Sequence, residues 1–284
     1  MRLQQAVNAV SRGPLHAAII GIALLWTLPT LGLLISSVRS RQDIASTGWW
    51  TSLWRPADFT MQNYLDVLNQ ENMTQSFLNS LTIAVPTTVI VILVAAFAAY
   101  AFAWMRFPGR DLLFMIFVGL LVVPIETTLI PVLRLFTDLH ITGTFPAMWL
   151  AHTAYGLPFA VFLLRNFFGG LPRELLESAR LDGATDLKIF FRLVLPLSVP
   201  ALASLAIFQF MWVWNDLLVA LVYLGGSPDK APMTLTINNL VGRFASDQHL
   251  LTSAAFISMM LPLVIFFALQ RYFVQGILTG SVKG

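Results

Sequence analysis

The sequence predicts an all-α fold: a polytopic membrane bundle of about six transmembrane helices. Three observations carry that expectation. Only 11% of the 284 residues are charged, where a soluble domain carries about 25%. Hydrophobic residues make up 57% of the chain and fall into long blocks, and a bilayer crossing needs about 20 apolar residues in a row. Prolines lie inside those blocks, at Pro29, Pro86, Pro124, Pro158 and Pro262. They would break helices in water, but neighbouring helices in a bundle can satisfy the freed carbonyls.

The first block, residues 15–38, follows basic residues, as a signal peptide would. Its apolar length exceeds an h-region of about 7–15 residues and no A-x-A site follows, so a retained span is expected. Five more blocks occupy residues 77–104, 112–134, 144–168, 197–224 and 250–273. Six crossings return both termini to one face. With that face cytoplasmic, Arg2, Arg12, Arg106, Arg110, Arg165, Arg173, Arg180, Lys188, Arg192, Arg271 and Lys283 lie inside. Arg39, Arg41, Arg55, Arg134, Lys230 and Arg243 lie outside. The inside excess predicts cytoplasmic termini. Trp49, Trp50 and Trp54 fall in the first outer loop and are expected to form an interfacial helix or loop, rather than a platform for stacking sugar.

Several chemistries are excluded. With no cysteine there is no disulfide, thiol nucleophile or Cys-based zinc site. The four histidines are scattered, with no pair at i, i+4, so no metal site is expected. H-E-x-x-H, Walker A and G-x-S-x-G patterns are absent, so the chain is expected to hold no catalytic residues and to bind no nucleotide by a phosphate loop. The small net charge of +3 carries no expectation of nucleic-acid binding; lipid is the expected surroundings.

One stretch departs from the membrane pattern. Residues 171–184 carry charges of both signs, so they are expected outside the lipid. Pro172 suits the first helical position, and Gly183 suits the left-handed position past a helix end. Leu175, Leu176 and Ala179 form an apolar stripe between them, bordered by Arg173, Glu174, Glu177 and Arg180. Thr185 suits the cap of a second short helix over residues 186–195, stopped by Pro196. An amphipathic helix–turn–helix of this kind either recruits a protein partner or merely joins two spans.

Glu177-Ser178-Ala179, then Gly183, then Leu193-x-Leu195-Pro196 resembles the EAA loop of binding-protein-dependent ABC importer permeases. Ser178 stands for an alanine there, and Leu193 for an isoleucine. Asn79-Ser80-Leu81, Ala99-Tyr100-Ala101-Phe102, Arg106-Phe107-Pro108-Gly109-Arg110, Trp214-Asn215-Asp216 and the ending from Gln270 to Gly284 are similar to the carbohydrate branch, with a maltose-permease-like plan. Residues 43–50 resemble permeases for α-glucosides or glucosylglycerol. The resemblance implies a permease subunit of an ATP-driven sugar importer, multi-pass in a bacterial or archaeal inner membrane. Its implied partners are a second homologous permease, a dimer of ABC ATPases holding the ATP and Mg, and an extracytoplasmic sugar-binding protein. Glu177, Ser178, Ala179, Asp182, Gly183 and Ala184 are the implied ATPase-coupling residues. Val282, Lys283 and Gly284, in the C-terminal tail, either reach the ATPase interface or fray. The implied organisation is residues 1–70 as N-terminal stub, first helix and external loop, 71–275 as permease core with the coupling loop at 171–196, and 276–284 as cytoplasmic tail.

Polar groups within spans are costly and point to function. Glu126, His152, Asn215 and Asp216 stand out, with Asn79 and Gln209 behind them. If the helices run straight at ~1.5 Å per residue, Glu126, His152 and Asp216 all reach the outer half of the bilayer. Either they converge on one polar cavity, where Tyr155, Trp212 or Trp214 would stack on a sugar, or Asp216 is merely interfacial and Glu126 pairs within the bundle. A secondary transporter is the competing reading, but it would need no ATPase-docking loop and would more often carry inverted repeats. None is visible.

Overall fold

The computed structural model describes residues 2–55, 59–70, 72–242 and 244–281, which are helical with no strand among them. Four helices are long and apolar enough to cross a membrane: Gly13–Ser37, Met73–Trp104, Phe145–Gly169 and Asp247–Gln270. Two further candidates are bent pairs, Arg110–Leu120 with Ile125–Asp138 at 102°, and Asp186–Leu197 with Val199–Trp214 at 75°. Counting each pair as one span gives the expected six. The third and fifth blocks are therefore not the straight crossings that the depth argument assumed.

The helices are labelled α1 (Arg2–Ser37), α2 (Arg41–Ser46), α3 (Gln62–Gln70), α4 (Met73–Trp104), α5 (Arg110–Leu120), α6 (Ile125–Asp138), α7 (Phe145–Gly169) and α8 (Arg173–Leu181). They continue as α9 (Asp186–Leu197), α10 (Val199–Trp214), α11 (Leu218–Tyr223), α12 (Met233–Val241) and α13 (Phe244–Ser281).

The chain divides into two compact units. The smaller comprises Met1–Met73 and Ile237–Ile257. Here α1 exposes Leu24, Leu25 and Trp26, the surface a lipid-facing helix presents. The Ser37 carbonyl at its end accepts from Asn63 Nδ2 at 2.9 Å and from the Ser253 hydroxyl at 2.8 Å, so an orphan carbonyl of the helix terminus is satisfied. Trp49–Leu53 is a 3₁₀ helix. The Trp49 indole lies so close over Gly32 that a Cβ there would stand 2.9 Å from its Nε1. Gly32 is five residues inside the end of α1, about 7.5 Å by helical rise. The tryptophan loop thus folds back along the end of α1.

The larger unit comprises Thr74–Thr236 and Ser258–Gly284. Its core runs through Val91, Ala95, Ala99 and Tyr100 of α4, Ala160, Leu164 and Phe168 of α7, and Leu205 of α10. Alanines at these positions let helix backbones approach closely, which is how helices associate without a hydrophobic driving force.

Two of the prolines show how the bundle tolerates them. Pro86 has no N–H for the carbonyl of Thr82, four residues earlier. The Trp149 indole of α7 supplies that hydrogen bond instead, at 2.8 Å. Pro262 likewise frees the carbonyl of Ser258, and the Trp214 indole of α10 donates to it at 3.1 Å. In each case a tryptophan from a neighbouring helix replaces the missing donor. Trp214→Phe keeps an aromatic ring against Phe210 but deletes the N–H along with the indole's five-membered ring. It is expected to cost about 1–3 kcal/mol for the stranded carbonyl, read as a lowered melting temperature in detergent with the KM for solute unchanged.

Candidate functional site

The loop between α7 and α10 forms as its residues dictate. Pro172 is the N-cap of α8, one position earlier than expected, and Asp182 is its C-cap. Gly183 follows at φ +78°, a left-handed backbone that costs an L-residue about 1–2 kcal/mol and glycine little. The Ala184 N–H donates to the Ala179 carbonyl and the Gly183 N–H to the Arg180 carbonyl, both at 3.0 Å. This reciprocal pair is a Schellman motif. Thr185 caps α9 as expected, its hydroxyl accepting from the Lys188 N–H at 3.4 Å. The helix runs to Leu197 rather than stopping at Pro196, because residues 190–194 widen into a π-turn. The Leu195 N–H there reaches back to the Phe190 carbonyl. The wide turn adjoins Pro196, which can neither donate nor tolerate a tight preceding turn.

The apolar stripe is divided rather than presented whole. Leu176 is buried and Ala179 half-buried against the chain's own core, together with Ile189, Phe190 and Val194 of α9, while Leu175 is exposed. Tyr100 of α4 donates to Asp186 Oδ1 at 3.3 Å, and Arg180 pairs with the same oxygen at 3.1 Å. These contacts fix the loop to the bundle through side chains of α4, α8 and α9. The outward face carries Glu177, Ser178, Asp182 and Gly183, all exposed, and Ala184, half-exposed. Leu181 is 89% exposed and Leu187 62% exposed on the same loop. Sequence reasoning missed both leucines. For Leu181 the available signal was its place outside the i, i+3, i+4 stripe of α8; Leu187, in the first turn of α9, gave none, since it shares helical spacing with the buried Phe190 and Val194.

The expected polar cavity forms only in part. His152 is fully buried, and its Nε2 lies 3.6 Å from Asp216 Oδ2. Neither imidazole nitrogen has a hydrogen-bond partner among the described residues. Asp216 also accepts from the N–H groups of Val219 at 3.2 Å and Ala220 at 3.0 Å, and so caps α11. The cavity they share with Ser80 and Met148 measures about 10 Å³, room for roughly one water and none for a sugar ring. Beside it runs a chain of hydroxyls. Thr128 donates to Tyr155 at 3.0 Å, and Tyr155 meets Tyr223 at 2.7 Å. Thr128 and Tyr223 gave no signal in the sequence, since hydroxyl groups hardly lower the hydropathy of a span.

The remaining predicted residues are not gathered there. Glu126 is exposed on the first turn of α6, without an ion pair among the described residues. Its helix turns away at the bend after α5, so counting rise along a straight span misplaces it. Asn79 is buried and donates to the carbonyls of Asp229 and Ala231, at 2.9 and 3.1 Å, holding that loop to α4. Asn215 is exposed and donates to the Met211 carbonyl at 2.8 Å. Trp214 is buried, stacked on Phe210 and bonded to Ser258. A structural duty thus replaces the expected solute contact for Asn79 and Trp214. Val282, Lys283 and Gly284 lie outside the described residues.

Comparisons with known proteins agree with this architecture. Residues 71–279 match the family described as "Binding-protein-dependent transport system inner membrane component". The chain is 63% identical over 273 residues to the osmoprotective compounds uptake permease protein GgtD of Synechocystis sp., covering 95% of this chain and 92% of that relative. It is 41% identical to the alpha-glucoside transport system permease protein AglG of Rhizobium meliloti, over 98% of this chain and all of that relative. A solved chain of a bacterial ABC transporter involved in the import of alginate shares the fold, with TM-score 0.75 and 22% identity over 92% of this chain and 96% of that one. With multiple membrane-spanning helices, a capped charged loop outside them and near full-length relatives of one kind, this chain belongs to the inner-membrane permease components of binding-protein-dependent transport systems.

Proposed function

We propose that the chain is one of two permease subunits through which an ATP-driven importer passes sugars or sugar-like solutes, and that α8 is the lever by which ATPase subunits move it. The single observation that carries the reading is the outward face of the 171–196 loop: charged Glu177 and Asp182 beside the 89%-exposed Leu181, on a helix locked at its end and anchored beneath by buried Leu176. A rigid element with apolar and anionic groups turned outward suits docking in a cleft on a partner protein. Glu177, Ser178, Ala179, Asp182, Gly183 and Ala184 would form that contact. ATP and Mg would sit on the ATPase dimer, since this chain carries no phosphate-binding loop. An extracytoplasmic binding protein would deliver solute, and both termini would lie in the cytoplasm with the loop, as the excess of Lys and Arg there favours.

The solute class is supported by the relatives' names, which include uptake of osmoprotective compounds, alpha-glucoside transport and import of melibiose, raffinose and stachyose. Glucosides and glucosylglycerol-like polyols share hydroxyl-rich surfaces. His152, Tyr155 and Asp216 are the groups proposed to meet such hydroxyls when the bundle opens.

The test is Glu177→Ala. Removing one member of a partly desolvated charge pair costs about 2–5 kcal/mol of docking. Uptake of labelled solute should therefore fall by more than tenfold while the chain still inserts, and ATP hydrolysis should no longer respond to loaded binding protein. Unchanged uptake would overturn the assignment.

A further inference from the structure

A separate cleft, of about 450 Å³, opens where α4 and α7 end, lined by Phe102, Ala103, Arg110, Arg165, Asn166 and Arg173 with the backbone of Gly169 and Gly170. Three guanidinium groups reach it from three elements: the start of α5, the last turns of α7 and the first residue of α8. No carboxylate lines it. Arg110 pairs only with its neighbour Asp111, at 2.9 Å, and Arg165 and Arg173 have no carboxylate partner among the described residues. Arg165 is held in place rather than free to sweep. Its guanidinium lies 4.7 Å over the Phe114 ring and donates to Asn166 Oδ1 at 3.3 Å, while its Nε is buried with no partner.

The level of the cleft can be read from the same elements. It sits at the ends of two membrane-spanning helices, beside Trp104, whose indole donates to the Phe168 carbonyl at 3.0 Å. Tryptophans at span ends mark the headgroup layer. Arg165 and Arg173, without a carboxylate partner among the described residues, together with Arg110, which is paired to Asp111, match a phosphodiester at that depth, because guanidinium forks bind phosphate oxygens in pairs. The apolar wall of Phe102 and Ala103 suits the start of an acyl chain.

We infer that this cleft is a binding site for the headgroup of an anionic phospholipid, in the leaflet on the side of α8. Because Arg173 opens α8, a bound lipid would brace the loop that carries Glu177. The lipid site itself does not depend on the ATPase reading.

The experiment is native mass spectrometry of the purified full-length chain with added phosphatidylglycerol or phosphatidylcholine. The expected result is retention of phosphatidylglycerol over phosphatidylcholine, weakened about fivefold by each of Arg165→Gln and Arg173→Gln, the yield of one basic residue near a charged headgroup. Arg173 is exposed, so its variant separates lost binding from misfolding, and Arg134→Gln, on α6 and outside the lining of the cleft, serves as a control that keeps the lipid. Equal retention of both lipids, or of phosphatidylglycerol by both variants, overturns the inference. So does its displacement by millimolar inorganic phosphate, which would mark a simple anion site, or by purified ATPase subunit, which would assign the arginines to a protein contact.

Discussion

Gly183→Pro is expected to abolish solute uptake while leaving the chain inserted and folded across the membrane. Gly183 holds φ at +78°, and proline is fixed near −65°. Proline also lacks the N–H that now bonds to the Arg180 carbonyl at 3.0 Å. Both halves of the Schellman lock fail together, because Ala184 can no longer be steered back to Ala179. The penalty is local. A Cβ at 183 meets nothing within 4 Å, so the variant damages the backbone turn and not the packing. Gly183→Ala is the graded control. It keeps the N–H and pays only about 1–2 kcal/mol for the left-handed conformation, so it should retain partial uptake. Transport assays on the two variants, with membrane yield as the control, check the order wild type, alanine, proline.

Asp216→Leu is expected to lower stability by about 1–3 kcal/mol and to abolish transport with it. The carboxylate accepts from two N–H groups at the start of α11 and faces the buried His152 ring at 3.6 Å. Leucine leaves both donors without an acceptor in a region with little room for water, and leaves the imidazole without the carboxylate that faces it. Asp216→Asn retains an oxygen for the cap and should recover most of the melting temperature. If the carboxylate also meets solute, the asparagine variant will be near-normal in stability yet raised in KM. Thermal unfolding in detergent together with uptake kinetics separates the two roles.

How much of this was legible in the sequence depended on which force set each feature. The blocks that became α4 and α7 were readable, because burial of an apolar run is a sum over many residues. The bend between α5 and α6 was not. Pro124 and Pro86 look alike in sequence, each preceded by valine, but their fates differ through tertiary contacts. The Thr82 carbonyl freed by Pro86 is taken by Trp149, and the helix continues. The Leu120 carbonyl, four residues before Pro124, is taken by the Val123 N–H in a turn at 3.2 Å, and the chain breaks. Hydropathy counts apolar atoms and cannot tell these cases apart.

The coupling loop was the most legible part, since Pro172, Gly183 and Thr185 act through their own backbone chemistry and need no distant partner. The division of its apolar stripe was not legible, because periodicity marks a face without saying whether the chain's own core or another protein covers it. The polar centre was half legible. Rare charged residues drew attention to His152 and Asp216, and they do meet. Asn79 and Trp214 stood out by the same reasoning, and the structure employs them to satisfy backbone carbonyls.

As a cytoplasmic lever held by an ATPase, α8 must be reachable from the inner face and covered by that partner. Because the chain has no cysteine, Glu177→Cys introduces a unique thiol, and its labelling by a membrane-impermeant maleimide can be compared in inverted and right-side-out vesicles. The predicted result is labelling only in inverted vesicles, suppressed when the ATPase subunits are bound. Labelling from the outer face, or labelling that the ATPase leaves untouched, would contradict it.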